Sequence, residues 1–163
     1  MKNLSLSALL LVVVSSCAHS PHYTAYTAPQ LAAKGTHQVA GKDVAATVEA
    51  LVVSLTTLGY RVTLKDPERG IVKTSAKPMM TSSTTVATGS QYSATASSEV
   101  VEDGLAWALQ VEASGSDAVV HATPRGFRNG SEMHAEGMWV PEVMDPKFLD
   151  LWSELDSTLG VKR

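Results

Sequence analysis

Glu132, His134 and Glu136 alternate in the stretch EMHAE, residues 132–136. In an extended strand, residues two apart share a face. Two carboxylates and an imidazole would then converge, and such a set can bind a divalent metal. The plainer reading is the polar face of an edge strand, with Met133 and Ala135 turned inward. The other histidines are His19, His22, His37 and His121. His121 sits in an apolar stretch, where a hydrogen-bonded structural histidine is the usual explanation. Ser, His and Asp are plentiful, but nothing fixes a spacing between them. No phosphate-cradling glycine loop, zinc-type Cys/His spacing or nucleophile elbow is found. No cofactor is expected. The one thiol in the chain is Cys17, which ends an apolar run.

That run has the form of a signal peptide. Lys2 supplies a basic start, and Leu4 to Val14 is apolar apart from Ser5 and Ser7. Its length of about 11 residues suits a secretory signal and is too short to span a bilayer. Val14-Ser15-Ser16-Cys17 resembles a bacterial lipobox: an aliphatic residue, two small residues, then Cys. The resemblance implies a diacylglycerol on the Cys17 thiol, cleavage before Cys17, and acylation of the new amino group. The alternative is ordinary cleavage after Ala18, which discards Cys17. Three acyl chains would hold the protein firmly, since two already suffice for stable attachment. Lipoproteins with Asp after the Cys tend to stay in the inner membrane, and here that residue is Ala18. In a host with two membranes the resemblance implies the outer one, facing the periplasm.

Residues 1–16 are thus expected to be the signal, residues 17–36 a lipidated flexible tether, and residues 37–163 a single domain. The tether contains Pro21, Pro29 and Gly35, with Tyr23 and Tyr26 expected in solvent and docking onto a partner or onto the domain itself as the alternative. As a coil its ends would lie about 25 Å apart. With no cysteine pair, the domain must rest on an ordinary hydrophobic core, although an oxidising compartment would allow disulfides. The formal net charge is −3, and removal of Lys2 makes it more negative. This balance argues against nucleic acid and against a polybasic lipid-binding patch.

The elements that must position any site follow from periodicity. HQVAG (37–41) reads as a short strand. Val44, Val48, Leu51, Val52, Leu55 and Leu58 recur at helical spacing, with Asp43 as cap and Gly59 as stop. YRVTLK (60–65) alternates, which places Tyr60, Val62 and Leu64 inward. A turn at DPERG leads to a return strand at 71–77, stopped by Pro78. LAWALQVEA (105–113) sets Leu105, Trp107, Leu109 and Val111 on one face, and residues 118–124 return. Asn129-Gly130 signals a tight turn before a strand at 132–140. Asp145-Pro146 is expected to open a closing helix with Phe148, Trp152, Leu155 and Leu159 on its apolar stripe.

Residues 79–104 fit this pattern least. They are small, hydroxylated and poor in aliphatic side chains. The expected form is a mobile loop, with a projecting hairpin turning near Gly89-Ser90 as the alternative. One-sided strands need a cover, and two amphipathic helices supply it. The expected fold is α+β: a two-layer sandwich, an antiparallel sheet of four to six strands with two helices on one face.

A helix ending in LGYRV, followed by KDPERGIVKT, is similar to the helix-grip domains of the C lipoprotein of the outer-membrane barrel-assembly machinery. The likeness covers residues 37–77, and more loosely the strands and helix after 105. It implies a fold and a compartment and brings no catalytic residue. The function expected is a non-catalytic interaction or scaffolding module of the cell envelope, joined to the membrane at Cys17 and bound to an envelope protein. A small-ligand or peptide binder using the open face of the sheet is the first alternative. A hydrolase or metal-dependent enzyme is the second.

Overall fold

A computed structural model describes residues 24–90, 93–133 and 139–161, with the backbone alone over 80–90 and 93–100. Among these residues three helices and seven strands follow one another as α1 (Ala28–Lys34), β1 (Thr36–Val39), α2 (Val44–Thr57), β2 (Val62–Asp66), β3 (Ile71–Thr74), β4 (Lys77–Ser90), β5 (Ser93–Ser114), β6 (Asp117–Arg128), β7 (Ser131–Met133) and α3 (Pro141–Leu159). The fold is α+β. One antiparallel sheet runs in the order β1-β6-β5-β3-β2, with β4 added to β5 and β7 added to β6. The sheet has more strands than the four to six expected. The hydroxylated segment pairs into the ladder instead of looping out, and the Asn129-Gly130 turn sends back a short β7.

The helix α2 forms where its apolar spacing places it. The Asp43 carboxylate accepts the Ala46 N–H at 2.7 Å and caps the first turn. Val48, Leu51 and Leu55 are fully buried, while Val44, Val52 and Leu58 border the core. The helix α3 begins earlier than its sequence signal suggested. Pro141 takes the first turn and Pro146 lies inside the helix, so Asp145 is not the cap. Only a first-turn proline loses no intrahelical bond, and Pro141 already fills that place. The two helices pack on each other, with the Ser54 hydroxyl donating to Thr158 Oγ1 at 3.0 Å.

Met144, Phe148, Leu151 and Leu155 of α3 meet Val72, Leu105, Trp107, Leu109, Val111 and Val120 of the sheet in one core. Trp107 is at its centre, 1% exposed, with Phe148 tilted against it at 5.3 Å and Tyr60 edge-on at 6.4 Å. Its indole N–H is directed at the Tyr60 phenol without meeting full hydrogen-bond geometry. Burial pushes that phenol above the usual tyrosine range.

Two strand expectations change. Leu64 is 43% exposed, not inward. The β2–β3 register slips between Val62 and Leu64, and such a bulge reverses the faces beyond it. Pro78 does not stop the chain either. The strand β3 ends at Thr74, and its hydroxyl accepts the Trp107 N–H at 2.9 Å. Lys77 then pairs with Leu105 and opens β4, so one side chain satisfies the amide at the gap between β3 and β4 along β5. Gly70 closes the β2–β3 turn at φ +67, where side chains are disfavoured. Its carbonyl accepts the Val111 N–H at 2.7 Å, and a Cβ there would strike the Val111 carbonyl oxygen.

Part of the expected tether is structured. The helix α1 spans 28–34, and its end reaches β6 through an Ala122 N–H to Gly35 carbonyl bond of 2.7 Å. Leu31 and Tyr26 pack against the core. Tyr26 is therefore docked on the domain, the alternative to its expected place in solvent.

Candidate interaction site: the arm and its root

The longest departure from a closed sandwich is the β4–β5 hairpin. Pairing of β5 with β6 ends at Asp103 and Arg128, and pairing with β3 covers only Ala108 to Gln110. Beyond Glu102, β5 is paired with β4 alone, in continuous register from Thr81–Glu102 to Ser90–Ser93. Ten rungs at a strand's rise make an arm about 30 Å long. It contains no charged residue between Lys77 and Glu99.

Why the arm forms at all is a matter of its root, because an isolated two-stranded ribbon is marginal in water. Asn129 bonds Glu102 twice. Its side-chain oxygen accepts the Glu102 N–H at 3.0 Å, and its own N–H donates to the Glu102 carbonyl at 2.9 Å. Asn129 and Gly130 have φ of 49° and 79°, as a two-residue hairpin turn of this hand requires. Arg128 grips Asp103 through two bonds of 2.8 and 3.1 Å. That hydrogen-bonded guanidinium holds the Asp103 carboxyl below the usual carboxylate range. On the other strand, Lys77 donates to the Leu58 carbonyl at the end of α2 at 2.6 Å and lies over the Tyr60 ring at 5.2 Å. Both strands thus leave the domain from fixed points. A hollow of about 200 Å³ between Ala76, Pro78, Glu102, Gly104 and Phe127 marks the junction.

The second feature lies at the amino-terminal side. His37 stacks on Trp152, ring centres 4.9 Å apart and nearly parallel, and its Nε2 is 2.7 Å from Asp156 Oδ1. The Trp152 indole donates to the Lys34 carbonyl at 3.1 Å. Nearby, the Tyr26 hydroxyl donates to Asp145, and Lys34 lies 3.2 Å from the same carboxylate. The Tyr26 pKa is pushed up to about 12, first by burial and then by the Asp145 carboxylate. Asp145 is held below the usual carboxylate range, first by the Tyr26 hydroxyl. These contacts strap the α1 segment to α3. Beside them runs a groove of about 480 Å³ lined by Lys34, Asp145, Pro146, Phe148, Leu149 and Trp152, with Leu149 60% exposed.

The residues singled out from sequence are placed as follows. Cys17, His19, His22, His134 and Glu136 lie outside the described residues. Glu132 is bound by Arg125, whose Nε donates at 2.6 Å and whose second nitrogen bonds the other carboxylate oxygen. Among the described residues no group of three or more His, Cys, Asp or Glu side chains could hold a metal. His121 Nδ1 lies 3.2 Å from the Thr36 hydroxyl, as a structural histidine would. The His37–Asp156 and Tyr26–Asp145 pairs each join residues 119 apart. No local pattern marks such pairs, so sequence reading missed them. The Asn-Gly turn was the one local sign of the arm's root.

No protein-family model matches the chain. No curated protein matches it. Among solved structures, the chain is similar to a DUF4468 family protein from Bacteroides ovatus, at 9% identity and a TM-score of 0.41, over 78% of this chain and 84% of that one. A likeness this distant carries no functional argument.

Proposed function

We propose that this protein is a membrane-tethered lipoprotein of the cell envelope, acting as a non-catalytic interaction or scaffolding module, and that the β4–β5 arm is its contact element. The observation that carries this reading is the arm itself. Ten paired rungs stand beyond the sheet with none of the described helices over them, yet their root is fixed by Asn129, Arg128 and Lys77. A ribbon held rigidly at its base and left uncovered along its length is suited to adding strands from outside. The lipobox-like residues before Cys17 support a lipid anchor, and the resemblance to the barrel-assembly lipoprotein supports an outer-membrane place facing the periplasm.

The anchor has a direct test. Mass spectrometry of the mature amino terminus should find a lipid-modified Cys17, and Cys17→Ala should move the protein from the membrane to the soluble fraction. An unmodified terminus at His19 contradicts the anchor. The contact element is tested by crosslinking and recovering the native protein from envelope membranes, with the arm intact and with residues 82–101 replaced by Asn-Gly. Partner recovery should depend on the arm. Recovery undiminished by its removal contradicts the assignment. A second reading, capture of a small apolar ligand, is favoured only by the groove beside α3. Leu149→Glu should block that groove and leave arm-dependent recovery intact.

A further inference from the structure

We infer that the arm's partner is a second copy of this chain, joined β4 to β4 in antiparallel register across a two-fold axis. The inference rests on the arm being the contact element and names what it contacts.

Edge strands are normally guarded by lysine, proline, bulges or short length, because their unpaired N–H and C=O groups accept any strand. On β4 these guards stand only at the root: Lys77, Pro78 and the bulge between Pro78 and Met80. From Thr81 to Ser90 there is no charge and no proline, and β4 pairs with β5 and with no other described strand. The ten residues turn about half of their backbone groups outward.

Charge decides which edge joins and to what. The outer edge of β5 carries Glu99 and Glu102, and the β6–β7 turn holds Glu102 at the root. Self-pairing there about Ser98 would set Glu99 diagonal to its own copy on one face. Self-pairing along Thr81–Ser90 brings no charges together. An edge without charges offers a foreign strand no electrostatic selection, whereas on a second copy Ser82 would face Thr88 about Thr85, or Ser82 face Ser90 and Thr84 face Thr88 about Val86, as favourable cross-strand pairs. Antiparallel pairing also sends the two acidic domains to opposite ends of the joined ribbon. They then lie tens of ångströms apart, beyond a Debye length of about 8 Å. The product is a four-stranded sheet, β5-β4-β4-β5, in place of two marginal ribbons.

Symmetry makes the geometry testable. A two-fold axis normal to the joined sheet maps each face onto itself. Opposed residues must share a face, so one residue of β4 pairs with its own copy. For an arm centred on its ten rungs that residue is Thr85 or Val86. Its two Cα atoms fall within the 4.4–6.8 Å that a disulfide spans. Residues one and two places away are separated from their own copies by roughly 8 Å or more, from the strand spacing and rise.

Single cysteines at each position from Ser82 to Thr88, in the full-length membrane-bound chain, are oxidised mildly, with the parent chain as control. A disulfide dimer should peak at one position near the centre and fall at least about tenfold two residues to either side. The full chain in detergent should sediment as a dimer, and the chain with residues 82–101 replaced by Asn-Gly as a monomer. A monomeric full chain overturns the inference. So do a dimer that survives loss of the arm, equal crosslinking at every position, and a crosslinked product of another mass. The last outcome leaves the arm as a contact element and removes only the second copy as its partner.

Discussion

At the scale of the residue, Trp107 does most to hold the sandwich together. It is 1% exposed and touches both Phe148 of α3 and Tyr60 after α2. Trp107→Ala should cost about 3–5 kcal/mol, the range for deleting a buried large aromatic. Denaturant unfolding checks this, and a loss below about 1 kcal/mol would contradict its central position. Tyr26 and Asp145 make a smaller, pH-dependent contribution. A tyrosine whose folded pKa is raised lends stability in full below its unfolded value of about 10, and loses it as pH climbs through about 12. A depressed Asp145 lends stability above about 3.9 and loses it as pH falls through its lowered folded value. The strap should thus be firmest between these limits. Amide-exchange protection of Leu31 and Gly35 should fall on either side of that window and fall at all pH in Tyr26→Phe. Protection equal in both proteins throughout would show that the phenol does not hold α1.

At the scale of the element, legibility tracked how local the cause was. The helix α2 was readable because its cap, its apolar spacing and its stop lie within 17 consecutive residues. The face of β5 carrying Leu105, Trp107, Leu109 and Val111 was readable from strict alternation. Leu64 was misread because a bulge in β2 is set by pairing with β3, and β2's own residues do not announce it. The start of α3 was misread because Asp145-Pro146 carries the local signature of a helix start, while the helix already begins at Pro141 and runs through it. The arm was read as a loop because low apolar content says nothing of a clamp 27 residues away at Asn129. That clamp yields a prediction. Asn129→Gly keeps the positive φ and removes the side-chain acceptor, so it should cost about 0.5–1.5 kcal/mol. It should also raise amide exchange at Glu102 more than in Leu105 to Ala113. Unchanged exchange at Glu102 would show that the root is held by other contacts.

At the scale of the whole molecule, the domain should fold without the arm. The core is built from α2, α3 and residues of the sheet below Asp103, and among the described side chains none between 101 and 104 belongs to it. Thr81 and Glu102 are opposed, so an Asn-Gly turn can join them in place of residues 82–101. The melting temperature of the shortened chain should stay within a few degrees of the parent, which corresponds to less than about 1 kcal/mol. A larger fall would make the arm part of the fold and weaken its reading as a contact element. Of the candidate set in EMHAE, Glu132 is engaged by Arg125, while His134 and Glu136 lie outside the described residues. The remaining polar clusters hold elements together: His37 fixes β1 to α3, and Asp117 ties the Gly41 N–H and the Gln38 amide to the β5–β6 turn. The most direct test of the central claim is site-specific photocrosslinking in intact envelopes. A photoreactive phenylalanine is placed at Ser83 and Thr88 on the arm, and at Val53 and Leu64 on the exposed surface of the domain. Discrete crosslinked products from the two arm positions, and none from the two domain positions, are the predicted result. Products from Val53 or Leu64 with none from Ser83 or Thr88 would contradict it.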